Sequence, residues 1–115
     1  MNWLMSSEFK IVTTESFNKS VYKLSKKYPS LASDLVELRS MLNDNPRAGV
    51  PLGKDCYKIR IKISSKNAGK SGGARVITYV KIQAKRITLL DIYDKSEKET
   101  ITDKELADLL KKAEE

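Results

Sequence analysis

The eight residues "CYKIRIKI" at 56–63 constrain the fold more than any other stretch. Apolar and basic side chains alternate strictly there. Tyr57, Ile59, Ile61 and Ile63 fall on one side and Lys58, Arg60 and Lys62 on the other, as in a strand with one buried face. The chain before it keeps a different period. Phe17, Val21, Leu24 and Tyr28 recur at helical spacing until Pro29 stops them, and Leu31, Leu35, Leu38 and Leu42 form a second stripe. Only a short Tyr-Pro-Ser turn separates the two stripes, which predicts an antiparallel helix hairpin with its stripes in the core. A change of period from 3.6 to 2 part-way along a short chain predicts an α+β domain.

The remaining segments fill in that plan. "EFKIV" (8–12) reads as a first strand, and "RAGVPLGKD" (47–55) as a loop. "RVITYVKI" (75–82) and "KRITLLDIY" (85–93), joined by Gln-Ala, read as a hairpin. Thr102 and Glu105 form a capping box opening a last helix, with Leu106, Leu109 and Leu110 as its apolar stripe. The expectation is a single domain, 1–115: a first strand and a helix hairpin packed on an antiparallel sheet, with a C-terminal helix. One sheet face should carry the helices and the other the basic residues. By simple alternation Tyr93 shares a side with Ile87 and Leu89, though also with Asp91. Asp91 is expected to pair with a neighbouring cation and Cys56 to be a small buried residue. The acids of "DKSEKET" (94–100) are expected in a solvated loop.

Charge is unevenly placed. Between Lys54 and Arg86 there are ten Lys or Arg and one acid, a net of +9, which leaves −2 for the rest of a chain whose total is +7. A basic middle between near-neutral ends implies an anionic partner. The chain has no histidine and one cysteine. That composition excludes an internal disulfide, a structural zinc site and any Ser-His or Cys-His pair, and it fits a reducing cytoplasm. No apolar run reaches membrane-spanning length, and "MNWLMSS" lacks the basic flank of a signal peptide.

The segment "NAGKSGGAR" (67–75) contains Gly-Lys-Ser, the tail of a phosphate-binding P-loop. That loop needs a glycine where this chain has Ser64, and a helix where this chain has the strand "ARVITYV". The P-loop reading therefore fails. Lys66, Lys70 and Arg75 still make the connection basic, and its length exceeds that of an ordinary hairpin.

Taken together, "CYKIRI", "GKSGGARVITYV" and "LLDIYDKSEKETIT" resemble the toxins of the RelE/ParE superfamily, and most of all their HigB-like branch. The resemblance runs from residue 54 to about 102. It implies a RelE-like fold and the toxin of a bacterial toxin–antitoxin pair. The implied activity is that of a ribosome-dependent endoribonuclease that cuts translated mRNA through the 2′-OH without a metal or other cofactor. The implied partners are a cognate antitoxin, expected to be a helix-turn-helix DNA-binding protein, and the ribosome with its message. The superfamily also includes gyrase poisons of the ParE type, but these generally lack a clustered basic sheet site. A plain RNA-binding module without catalysis would expose more aromatics than this chain offers.

Cutting RNA through its 2′-OH needs that hydroxyl activated, a phosphorane stabilised and the 5′ oxygen protonated. Without histidine, fixed cations aimed at the phosphoryl oxygens supply the stabilisation. A lysine among other cations has a lowered pKa and can move a proton. By resemblance Arg60 and Arg75 are assigned to the scissile phosphate, Lys58 or Lys95 to proton transfer, and Tyr93 to stacking on a base or orienting the hydroxyl. The RelE members carry a tyrosine after the last strand, whereas "EKETITDKEL" has no aromatic, so either Tyr93 substitutes, the codon is engaged differently, or catalysis is weaker. Lys54, Lys62, Lys66 and Lys70 are assigned to phosphates of flanking message or ribosomal RNA.

Overall fold

A computed structural model describes residues 9–66, 69 and 72–114. Strand β1 (Lys10–Thr13) leads into helix α1 (Glu15–Lys27) and helix α2 (Leu31–Asp44). Strands β2 (Val50–Gly53), β3 (Cys56–Ile61), β4 (Ala74–Lys81) and β5 (Arg86–Asp94) follow, then helix α3 (Asp103–Ala113). The predicted α+β order holds, and the elements agree with the apolar patterning to within about two residues. The loop expected at 47–55 instead contains β2, which pairs antiparallel with β3 through a tight turn where Lys54 and Asp55 both take positive φ.

The sheet runs β1-β5-β4-β3-β2. Its β3 to β5 part is antiparallel as expected and β2 adds a further antiparallel strand, but β1 returns to the far edge and pairs parallel with β5, so the sheet is mixed. Alternation along the strands gives it two apolar faces. Ile59, Ile61, Val76, Val80, Ile87, Leu89 and Ile92 pack under the helix hairpin with Phe17, Leu24, Leu31, Leu38 and Leu42. Cys56, Ile77, Leu90 and Tyr93 form a second cluster with Ile101 and Leu106, so α3 covers the opposite face. The expectation that all helices share one face, leaving the other to the basic residues, is corrected here. The Leu106, Leu109, Leu110 stripe needs its own apolar surface, and the second face supplies it.

Two local devices set the geometry of the site. β5 holds one extra residue: Ile77 pairs with Asp91 but Thr78 pairs with Leu89, so Leu90 is a bulge. Gly73, just before β4, is buried and lies against β3, where a Cβ would run into the Ile61 carbonyl oxygen. Its role is close backbone approach.

Candidate active site

The bulge decides which way Tyr93 points. Before Leu90, the odd residues of β5 face the helix hairpin; after it, Ile92 does, and Tyr93 joins Leu90 on the α3 side. The simple alternation that grouped Tyr93 with Ile87 and Leu89 is corrected by this one-residue shift. In the final register Arg60 stands opposite Arg75, and Arg75 opposite Tyr93. Three of the five expected catalytic residues thus form one row across β3, β4 and β5, on the face that α3 partly covers. Lys58 lies in the adjacent row, and its ammonium donates to Thr100 Oγ1 at 3.4 Å.

Exposure differs sharply along the row. Arg60 is exposed, whereas Arg75 is only 2% exposed and donates from Nη1 to the Ala74 carbonyl at 3.3 Å. Tyr93 is 8% exposed, and its hydroxyl has no hydrogen-bond partner among the described residues. Burial pushes the Tyr93 phenol above its ordinary pKa. The charge of Arg75 pulls it down, and the carboxylates of Glu105, Glu99 and Asp91 push it up again. The Lys98 ammonium sits 5.0 Å from the centre of the Tyr93 ring and also pairs with Glu105 at 2.5 Å. That hydrogen bond, with the Thr102 N–H of the capping box, pulls the Glu105 carboxyl down to about 2. Lys98 and Glu105 were not singled out from sequence. Lys98 looked like one charge among several in a mixed loop, and Glu105 looked like a cap and nothing more.

The sequence model described as "RelE toxin of RelE / RelB toxin-antitoxin system" matches residues 10–115. The chain belongs to the RelE toxin family. It is therefore the toxin half of a toxin–antitoxin pair, with a cognate antitoxin as partner. A mutant of E. coli toxin RelE in the free state superposes with a TM-score of 0.57 at 17% identity, covering 92% of this chain and 94% of that one. The intact E. coli RelBE toxin–antitoxin complex gives 0.50 at 23% identity, covering 75% and 95%. Both likenesses are of fold. No curated protein matches the sequence.

The other basic residues expected in this RelE-family toxin scatter. Lys95 follows β5, with its ammonium 3.5 Å from Glu99. Lys62 is exposed and shares a shallow groove with Arg60 and Glu37. Lys54 lies at the β2–β3 turn, six residues from Arg60, so about 20 Å away along the strand. Lys70 lies outside the described residues. Lys66 is tied to the fold: its ammonium is 2.8 Å from buried Asp94, which also accepts from the Tyr28 hydroxyl at 2.6 Å and from the Ser96 N–H at 2.9 Å. Asp94 departs from the expectation that the acids of 94–100 are solvated, whereas Glu97 and Glu99 are exposed as expected. Asp91 accepts from Ser20 Oγ at 2.7 Å where a cation was expected, and Cys56 is buried as expected.

Among the described residues no three His, Cys, Asp or Glu side chains are grouped to hold a metal ion, and no helix is long and apolar enough to cross a membrane. The row is not a closed cavity. An open cleft of about 820 Å³ lies at the other end of the same sheet face.

Proposed function

We propose that this toxin cuts mRNA during translation, with the Arg60–Arg75–Tyr93 row as the place where the scissile phosphate lies. The observation that carries the reading is the register itself, which sets two guanidinium groups and a phenol side by side on adjacent strands. In the proposed step the message's 2′ oxygen attacks the neighbouring phosphorus. The bond from phosphorus to the 5′ oxygen breaks, leaving a cyclic 2′,3′-phosphate and a free 5′-hydroxyl. One proton leaves the 2′ oxygen and one reaches the 5′ oxygen.

Arg60 and Arg75 stabilise the charge that grows on the phosphoryl oxygens, where a planar fork of donors suits two oxygens at once. Tyr93, whose hydroxyl has no hydrogen-bond partner among the described residues, orients the reacting hydroxyl or stacks on a base. Lys58 or Lys95 moves the proton, and Lys58 lies two residues from Arg60 on the same strand face, roughly 6.6 Å away. No metal enters this scheme. The site operates in the cytoplasm, on the ribosome, and is silenced by an antitoxin that also binds DNA through a helix-turn-helix domain.

The test is induction in growing cells with the ends of translated and untranslated transcripts mapped. New ends on translated messages alone, carrying 5′-hydroxyls, support the reading. DNA breaks with unchanged message ends would transfer the protein to the gyrase-poisoning class, and metal-dependent ends bearing 5′-phosphates would remove the 2′-OH route.

A further inference from the structure

The α3 side of the sheet carries a second row of cations. Lys10 of β1 stands beside Arg86 of β5 in the parallel pairing, and Arg86 stands opposite Lys81 of β4 in the antiparallel one. Their chain neighbours Ile11, Ile87 and Val80 belong to the core under the helix hairpin, so all three cations face the α3 side. They line an open cleft of about 820 Å³ whose wall includes Tyr79, Thr88 and Lys112 of α3. Two carboxylates also line it, Glu15 and Glu114, and Glu15 is 3.0 Å from Lys19. Among the described residues, Lys10, Lys81, Arg86 and Lys112 have no carboxylate within ion-pair distance.

Like charges placed directly opposite on neighbouring strands repel and cost stability. Here the cost falls on three strands at once, with no ion pair to these cations among the described residues to offset it, and a bound polyanion would relieve it. The cleft is separate from the cutting row. Arg75 and Lys81 are six residues apart on β4, about 20 Å, and α3 runs between the rows with Glu105 near Tyr93 and Lys112 at the cleft.

We infer that this cleft anchors the phosphate backbone of RNA outside the segment that is cut. The inference rests on RNA being the toxin's target, as proposed above. A row of cations on an open sheet surface, beside an aromatic ring, is the arrangement that tracks a nucleic-acid strand. Tyr79 is half-buried, and the Lys81 ammonium lies 5.4 Å from the centre of its ring. A peptide partner would instead be anchored by apolar side chains in pockets. None of the exposed large apolar residues, Tyr22, Val36, Val50 and Ile82, lines the cleft.

The test combines Lys10→Gln, Lys81→Gln and Arg86→Gln in the full-length toxin. Binding is measured across a salt series to an unstructured 2′-O-methyl RNA, which cannot be cut through its 2′ oxygen. Three lost phosphate contacts should weaken binding about tenfold and flatten the plot of log affinity against log salt by about 2. On translating ribosomes the half-saturating concentration should rise while the single-turnover rate at saturation stays unchanged. A control carrying Lys19→Gln, Lys23→Gln and Lys26→Gln removes the same charge from α1 and should weaken binding far less. Equal loss in the control, or unchanged affinity and slope in the cleft variant, overturns the inference. So does loss of antitoxin binding with RNA binding intact, which would make the cleft a protein contact. A wild-type toxin that neither binds RNA nor cuts translated message fails at the earlier step and takes the cleft with it.

Discussion

Arg75 and Tyr93 face each other directly across β4 and β5, and they do so because β5 carries one residue more than its partner. The extra residue, Leu90, offers its carbonyl to the Thr14 hydroxyl at 3.1 Å, and that same hydroxyl accepts from the Phe17 N–H at 3.0 Å as the N-cap of α1. The start of a helix on one face thus pins the bulge that turns a tyrosine to the other face. Packing and site geometry meet in a single threonine.

Tyr93→Phe should separate stability from activity. The hydroxyl is buried and has no partner among the described residues, an arrangement that costs about 1–3 kcal/mol wherever it occurs. Its removal should leave the denaturation midpoint unchanged or raise it, by up to about 1 kcal/mol. If the hydroxyl touches the reacting atoms, single-turnover cleavage should fall at least tenfold in the same variant. Wild-type cleavage by Tyr93→Phe would leave the ring, and not the hydroxyl, as the working part.

The two arginines should behave differently when truncated. Arg60 is exposed, so Arg60→Ala should change stability by less than about 0.5 kcal/mol while cutting cleavage on the order of 100-fold. Arg75 is 2% exposed, so Arg75→Ala removes a buried side chain and should lose both stability and toxicity. Arg60→Ala is therefore the cleaner test of phosphate contact. Thermal melts alongside transcript-end mapping read both quantities. An Arg60→Ala variant that melts like wild type and still cuts at the wild-type rate would take Arg60 out of the site.

The sequence made the elements legible because their periods are strong: helical leucine stripes, then strict alternation at "CYKIRIKI". The side on which Arg60 and Arg75 lie was legible for the same reason, since alternation places both away from Ile59, Ile61 and Val76, which pack under the helix hairpin. Tyr93 was not, because a bulge leaves no mark in the pattern and inverts every residue after it. The burial of Asp94 was hidden too. Its partners Tyr28, Lys66 and Ser96 come from three separate segments, and only the folded topology brings them together. The parallel return of β1 to β5 was equally silent, since pairing partners are not written in one strand's own residues.

Asp94 predicts a specific acid sensitivity. Burial alone would raise its pKa, but the hydrogen bonds from Lys66, Tyr28 and Ser96 prevail and hold the carboxyl well below the usual range. A depressed folded-state pKa contributes stability that is fully present above the unfolded value near 3.9 and is lost as pH falls below it. Asp94→Asn removes the charge and leaves the Lys66 ammonium without its partner. It should cost about 3 kcal/mol near neutrality, with a melting temperature lower by roughly 10 °C. It should also flatten the stability-against-pH curve below pH 4. Denaturant titrations across that range read the effect directly, and parallel curves for the two proteins would show that Asp94 contributes nothing through its charge.

Gly73→Ala should be more damaging than its size suggests. The glycine precedes β4 at the point where its backbone crosses close to β3, and an added Cβ meets the Ile61 carbonyl oxygen, which is backbone and cannot swing away. The Gly73 carbonyl also accepts from the Lys95 N–H at 3.0 Å, so the same residue ties the start of β4 to the end of β5. Forcing β3 and β4 apart there shifts Arg75, two residues on, relative to Arg60 and Tyr93. The expected cost is about 2 kcal/mol of stability. Activity should fall further than that loss of folded protein explains, because the row depends on strand spacing. Cleavage per folded molecule, measured well below the melting temperature, separates the two effects. If it matches wild type, the glycine serves only the fold.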